Sequence, residues 1–316
     1  MSEMVKYPSI ENTYQQKHID MWLKYHPELE DETYLLTEKI HGSNLQVLFT
    51  PDEPIRYFSR NQEILPGEKF HGYQSALAED LIQSAFQSIQ KSANRLNTPI
   101  RIFGELFGKG IMKGVDYGLG DEKRFRIFAS MTGGEWDTLN NMRRGQLGCG
   151  SDRYTMLFVP PVYLAGSLQE ALDFDVEQPT HFNPIEGNTW EGVVIKPYYK
   201  NYQSPDGSMF WLKKKSERFK EKSHAPAPRV VDSEVDSMNA LFSSYFNDNR
   251  VQSCFSKMGE IQTPKEMATH IKAIFEDGKI DFLKEHNAAF ELLGKDQQKK
   301  ALNVGGLIAN LLKPYL

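Results

Sequence analysis

The chain has 316 residues, of which 40% are hydrophobic and 25% charged, and it carries a net charge of −5. That length accommodates roughly two domains of ~100–200 residues, and the composition is globular, with a core of ordinary size and little room for disorder. No stretch approaches the ~20 uninterrupted apolar residues of a membrane span, and with an acidic total any polyanion has to be met by a local basic patch.

The N-terminal "MSEMVKYPSIEN" lacks the apolar core of a signal peptide, and Cys149 and Cys254 show no metal-ligand spacing. Both features fit a cytoplasmic or other reducing intracellular compartment, neither secreted nor membrane-bound. Strand-like runs then recur: "YLLTEKI", "LQVLFT", "IRIFGELFG", "RFRIFAS", "MLFVPPVYL", "GVVIKP" and "MFWLKKK". Helical patterns interrupt them at "HGYQSALAEDLIQSAFQSIQKSANRL" and "NMRRGQLGCG", which makes residues 1–222 an α+β domain. "SHAPAPR" at 223–229 cannot continue a helix or a central strand and reads as a linker. Beyond it, residues 230–316 read as all-helical. Asp232 is placed to cap a helix bearing Val235, Met238, Phe242 and Tyr245 at helical spacing. Thr263 and Pro264 open a second, and "DQQKKALNVGGLIANLLKPYL" offers a further one weakened by its Gly-Gly pair.

Five local signals carry chemistry. In "TEKIHGSN", Lys39 ends one strand beside the His41-Gly42 turn that leads into the next, where the glycine admits close approach of a ligand. A lysine at a strand end is ordinarily a solvent-facing charge. To attack as a neutral amine it needs burial or neighbouring cations that lower its pKa. "MFWLKKKSERFKEK" supplies candidates, because alternation puts Lys213 and Lys215 on one strand face. "WEGVVIKP" opens a strand with Glu191, suited to a metal or a ribose hydroxyl. Alternation sets Lys196 on the opposite face from Glu191 unless Gly192 bulges. "RIFGELFGKG" surrounds Glu105 with apolar neighbours, and a carboxylate there requires a partner. "YFSRN" presents Arg60, a fork for phosphate. "GKGIMKG" lacks the spacing of a phosphate-binding Walker loop, and the histidines show no zinc spacing.

In this order the segments resemble the motifs of covalent nucleotidyltransferases. "EKIHGSN" is close to the form seen in the RNA ligase 2 family, the ATP-dependent RNA ligases of phage type that include RNA-editing ligases. "SRN", "FGELFG", "EGVVIKP" and "WLKKKSERFKE" resemble its later motifs, and "YFNDNRVQSCFSKMGEI" resembles the stretch that opens its helical C-terminal domain. The resemblance implies an ATP-grasp-like ligase domain with antiparallel sheets followed by a small all-helical domain. It implies that Lys39 becomes adenylylated by ATP with Mg²⁺ or Mn²⁺, and that RNA 3′-hydroxyl and 5′-phosphate ends are joined through a lysyl-AMP and an RNA-adenylate, with nicked duplex RNA as the expected partner and no obligate protein partner. In it, Glu38 and Ile40 offer backbone groups to adenine, Asn44 lies near the phosphates and Arg60 binds phosphate. Glu105 takes the ribose hydroxyls, Glu191 helps hold the metal, and Lys213 and Lys215 contact the α-phosphate, with Lys196 as a further nucleotide contact. Phe128 corresponds to the aromatic that stacks on adenine, although Ala129 follows it where the family usually has aspartate. A DNA ligase or capping guanylyltransferase fits less well, because His41 stands in the turn and no five-strand barrel pattern follows Lys215. A relative that binds nucleotide or RNA without catalysis is the remaining alternative, distinguished by ATP binding without a covalent adduct.

Overall fold

The strand-like runs pair into two sheets, as a computed structural model of the chain shows. It describes residues 4–143, 156–221, 234–261 and 263–315. The expected linker 223–229, Asp232, Cys149 and most of "NMRRGQLGCG" lie outside the described residues. The chain divides into two compact units, Met1–Arg218 and Phe219–Leu316.

In the first unit the strands are β1 (Glu11–Asn12), β2 (Tyr34–Glu38), β3 (Ser43–Phe49), β4 (Arg56–Phe58), β5 (Glu63–Ile64) and β6 (Ile100–Gly108). They continue with β7 (Lys123–Thr132), β8 (Glu135–Trp136), β9 (Pro161–Ala165), β10 (Gly192–Pro197) and β11 (Leu212–Lys215). The helices are α1 (Gln16–Tyr25), α2 (Tyr73–Leu77), α3 (Asp80–Leu96), α4 (Leu139–Asn141) and α5 (Leu168–Asp173). The run expected as one helix from His71 to Leu96 is broken at Ala78 and Glu79. Short β1, β4, β5 and β8 are too brief to show a period of their own, and α1 and α5 add to the expected elements although Ile19, Trp22 and Leu23, and Leu168, Ala171 and Leu172, stand at helical spacing.

A five-stranded sheet has the order β1-β11-β10-β2-β9, and a six-stranded sheet the order β5-β4-β3-β6-β7-β8. Every ladder is antiparallel except β1 on β11. Alternation sends successive side chains to opposite faces. In the larger sheet Leu45, Val47, Phe49 and Ile102 pack with Ile82, Phe86 and Ile89 of α3. Each such buried side chain contributes about 1.5–3 kcal/mol, which docks the amphipathic helix. In the smaller sheet Leu36, Val193, Ile195 and Leu212 pack with Ile19 and Trp22 of α1 and Leu168 of α5. The remaining faces look toward each other. Tyr7, Phe103, Ala129, Met131, Met209 and Trp211 join them in one apolar cluster, and Ile40, Phe107, Tyr117 and Val159 in another.

The second unit is helical over its described residues: α6 (Glu234–Ser243), α7 (Asp248–Met258), α8 (Met267–Glu291), α9 (Lys295–Ala301) and α10 (Gly305–Leu312). The helix expected across "DQQKKALNVGGLIANLLKPYL" is two, because the chain turns at Leu302–Val304 and α10 begins on the Gly pair. Arg250, fully buried, pairs with Asp277, with Asp281 at 3.0 Å and with Glu221 at 3.8 Å. Burial opposes its charge, but the three carboxylates outweigh it and raise its pKa. Asn247 and Asn249 donate their side-chain amides to the Lys220 carbonyl at 3.0 and 2.9 Å, which gives "NDNR" a structural purpose. Among the described residues no helix is long and apolar enough to cross a membrane.

Candidate active site

Lys39 follows β2 directly, and its N–H donates to the Gly192 carbonyl at 2.9 Å, so the start of β10 sets where the lysine leaves the sheet. Gly192 has φ +142, a conformation that disfavours side chains, and a Cβ there would lie 2.1 Å from the Lys214 carbonyl. This departure from regular strand geometry lets Glu191 turn toward the gap between the sheets although Lys196 also lies on that side. Glu191, 4% exposed, receives Lys39 Nζ at 2.9 Å and Lys215 Nζ at 2.8 Å on the same oxygen, while its other oxygen faces His41 Nδ1 at 3.1 Å. Burial alone would push its carboxyl up, but Lys215, then Lys39 and His41, outweigh it and hold it well below the usual range. Three side chains, from Lys39, His41 and Lys215, thus meet on one carboxylate.

Lys213 and Lys215 are two apart on β11, paired with Val194 and Gly192 of β10, and share the inward face as alternation expects. Lys214 points the other way, donating to the Leu172 and Phe174 carbonyls at 2.6 and 2.8 Å.

The facing sheet supplies the second carboxylate. Glu105 lies opposite Asn44 across β3 and β6, and the Gly42 N–H donates to it. Burial raises its pKa, with Lys39 opposing, and the balance is pushed up to about 8. Gly42 is required by close approach, because a Cβ would sit 2.3 Å from the Leu106 carbonyl oxygen and 3.0 Å from Glu105 Cγ. Asn44 is 9% exposed, and its Oδ1 is buried with no hydrogen-bond partner among the described residues. A buried orphan acceptor costs about 1–3 kcal/mol, so this position suits a ligand donor. Arg60 occupies the turn after β4, which is closed by the Ser59 N–H to the Gln62 carbonyl at 2.8 Å. Its charge acts on Glu105 and Tyr7.

Glu38 and Ile40, on either side of the lysine, are held differently. Glu38 is 1% exposed; its carboxylate accepts from the Thr180 hydroxyl at 2.5 Å and the His181 N–H at 3.0 Å. Its own N–H is taken by the Pro160 carbonyl at 3.0 Å. Ile40 is buried against Phe107, Tyr117 and Val159, with Phe128 and Phe182 packed on the same cluster. The His41 N–H donates to the Tyr117 hydroxyl at 2.6 Å, fixing the turn. Phe128 is the extra residue of a β-bulge, since Ala129 pairs with Phe103 and Ile127 with Gly104. Ala129 is 5% exposed within the apolar cluster around Tyr7, where an aspartate would be desolvated. Lys196 does not meet Glu191; its ammonium donates to the Tyr7 hydroxyl at 2.8 Å and the Phe128 carbonyl at 3.2 Å.

Tyr7, Tyr117, Thr180, His181 and Phe182 were not singled out from the sequence. They lie in irregular segments, and the first four bond residues 76 to 189 positions away, so no spacing marks them.

The sequence profile described as RNA ligase matches residues 32–215, and that described as T4 RNA ligase 2 C-terminal matches residues 229–304. Among solved structures, a mutant of Naegleria gruberi RNA ligase with AMP and Mn is similar at 18% identity and TM-score 0.48, over 68% of this chain and 57% of that one. Another mutant, with ATP and Mn, matches at 17% identity and TM-score 0.49, over 69% and 58%. The form with PPi matches at 18% and 0.48, over 68% and 57%. The chain therefore spans less than two thirds of the length of these proteins.

Proposed function

The chain belongs to the RNA ligase family, in its RNA ligase 2 type, and from that premise we propose that it is an ATP-dependent ligase joining RNA 3′-hydroxyl and 5′-phosphate ends at nicks in duplex RNA. The observation that carries this reading is the meeting of Lys39, His41 and Lys215 on Glu191, across the gap from Glu105 and Asn44. A nucleophile among cations, facing carboxylates and an apolar slot, is what transfer of a nucleotidyl group requires.

In this reading Lys39 Nζ, as the neutral amine, attacks the α-phosphorus of ATP. A P–N bond forms, the bond to the β-phosphate oxygen breaks, pyrophosphate leaves, and the amine's surplus proton passes to solvent. Lys215 and Lys213 stabilise charge on the α-phosphate, Arg60 binds phosphate with Asn44 nearby, and Glu105 takes the ribose hydroxyls. The base lies against Phe128 and Ile40. An RNA 5′-phosphate oxygen then attacks the same phosphorus, the P–N bond breaks, and a proton taken up from solvent returns Lys39 as an amine. Finally the RNA 3′-hydroxyl attacks the 5′-phosphate and expels AMP, each displacement being a matter of position and charge. One buried carboxylate plus phosphate oxygens is a donor set that Mg²⁺ or Mn²⁺ accepts, so Glu191 fits as a ligand. Such an ion would neutralise charge on the triphosphate oxygens.

Duplex RNA is recognised by shape and 2′-hydroxyls. With a 5′-phosphate at a nick, the protein, ATP and Mg²⁺, the expected result is sealing of nicked RNA well above nicked DNA of the same sequence. Equal or preferential sealing of DNA overturns the RNA assignment. ATP binding with neither sealing nor adduct would favour the non-catalytic alternative.

A further inference from the structure

The N-terminal segment precedes the matched residues 32–215, yet it reaches the site. Tyr7, 3% exposed, stacks on Trp211 with ring centroids 5.2 Å apart and meets Phe128 edge-on at 5.0 Å. Its hydroxyl accepts from Lys196 Nζ at 2.8 Å, and the same ammonium donates to the Phe128 carbonyl at 3.2 Å and lies 4.1 Å from the Trp211 ring centroid. A bulge withdraws its extra residue from the ladder, and here the bulged residue is Phe128, whose carbonyl Lys196 takes instead.

A lysine is a poor choice for filling this space. Its partners are a phenol, a carbonyl and ring faces, and burial pushes its pKa down to about 7. A methionine would occupy similar volume without that desolvation. What the lysine adds is a directed bond to one carbonyl. The Tyr7 hydroxyl also lies within the electrostatic reach of Arg60 and Glu105.

We propose that Tyr7 is a positioning residue of the nucleotide pocket: its hydroxyl orients Lys196, and Lys196 pins the bulged Phe128 against which the base stacks. The proposal rests on Phe128 being the base platform of the function proposed above. Tyr7 touches no reacting atom; it acts through Lys196.

Self-adenylylation of the full chain, read as single-turnover rate against ATP concentration, tests it with Tyr7→Phe, Lys196→Met and the double variant. Tyr7→Phe keeps the ring and removes only the hydroxyl. Losing a hydrogen bond to a charged group translates into roughly a tenfold rise in half-saturating ATP, while the rate at saturation stays within about twofold and the thermal midpoint is unchanged. Lys196→Met should show the same split, and the double variant should be no worse than the worse single one, because both act through one bond. Tyr7→Phe with wild-type half-saturation overturns the proposal. So does a variant that loses saturating rate and thermal stability together, since that describes a merely structural residue. Wild-type protein that forms no adduct at all sinks the parent reading, and this inference with it; a wild type that reacts beside an unaffected Tyr7→Phe sinks the inference alone.

Discussion

At the scale of residues, the two carboxylates of the gap have opposite electrostatic fates. Glu191 is held ionised by Lys215, Lys39 and His41 against the effect of burial, whereas Glu105 is pushed up to about 8. An acid whose pKa is raised in the fold keeps its proton there while the unfolded chain releases it above the ordinary value of 4.5. Stability therefore falls as pH rises between those two values. Glu105→Gln removes that dependence. Its melting temperature relative to wild type should climb between about pH 5 and pH 8.5; a difference that stays constant with pH would contradict the assignment. The motif residues were legible because each carries chemistry its apolar surroundings do not explain. Phe128 and Lys196 were harder to place, since a bulge and a hydrogen bond to Tyr7, 189 positions away, leave no local mark.

At the scale of elements, β10 is the part on which the site depends most. Its first residue must be glycine, because φ at Gly192 is +142 and the Lys214 carbonyl stands 2.1 Å from where a Cβ would be. Gly192→Ala should cost about 1–3 kcal/mol through overpacking and turn Glu191 away from Lys39 and Lys215. Denaturant unfolding and adenylylation measured together check this: the expected outcome is a fall in rate beyond what lost stability accounts for. Wild-type rate at reduced stability would mean that Glu191 holds its place without Gly192. The strands themselves were legible from alternation, as β6 and β10 occupy the same residues as the runs read from sequence. The two-residue strands β1, β5 and β8 were not, because pairing with a neighbour rather than any pattern of their own creates them. The break at Ala78–Glu79 was missed because apolar spacing continues through it.

At the scale of the whole molecule, all the candidate site residues, from Tyr7 to Lys215, belong to the unit Met1–Arg218. Its core is separate from that of the helical unit. If nucleotide chemistry resides in the first unit, residues 1–218 expressed alone and shown to be folded by circular dichroism should form the lysyl adduct. A folded fragment that takes no label would place an essential group in Phe219–Leu316. The change from mixed to helical periodicity was legible in the sequence. The role of Arg250 was not, because the carboxylates that neutralise it come from Glu221 on one side and from Asp277 and Asp281 on the other.

The most direct test of the central claim is incubation of purified wild type and Lys39→Ala with ATP labelled at the α-phosphate and Mg²⁺, after pyrophosphate treatment to strip any AMP already attached. Label that stays on the denatured wild-type protein and is absent from the variant is the predicted result. An unlabelled wild type, or equal labelling of Lys39→Ala, would contradict it.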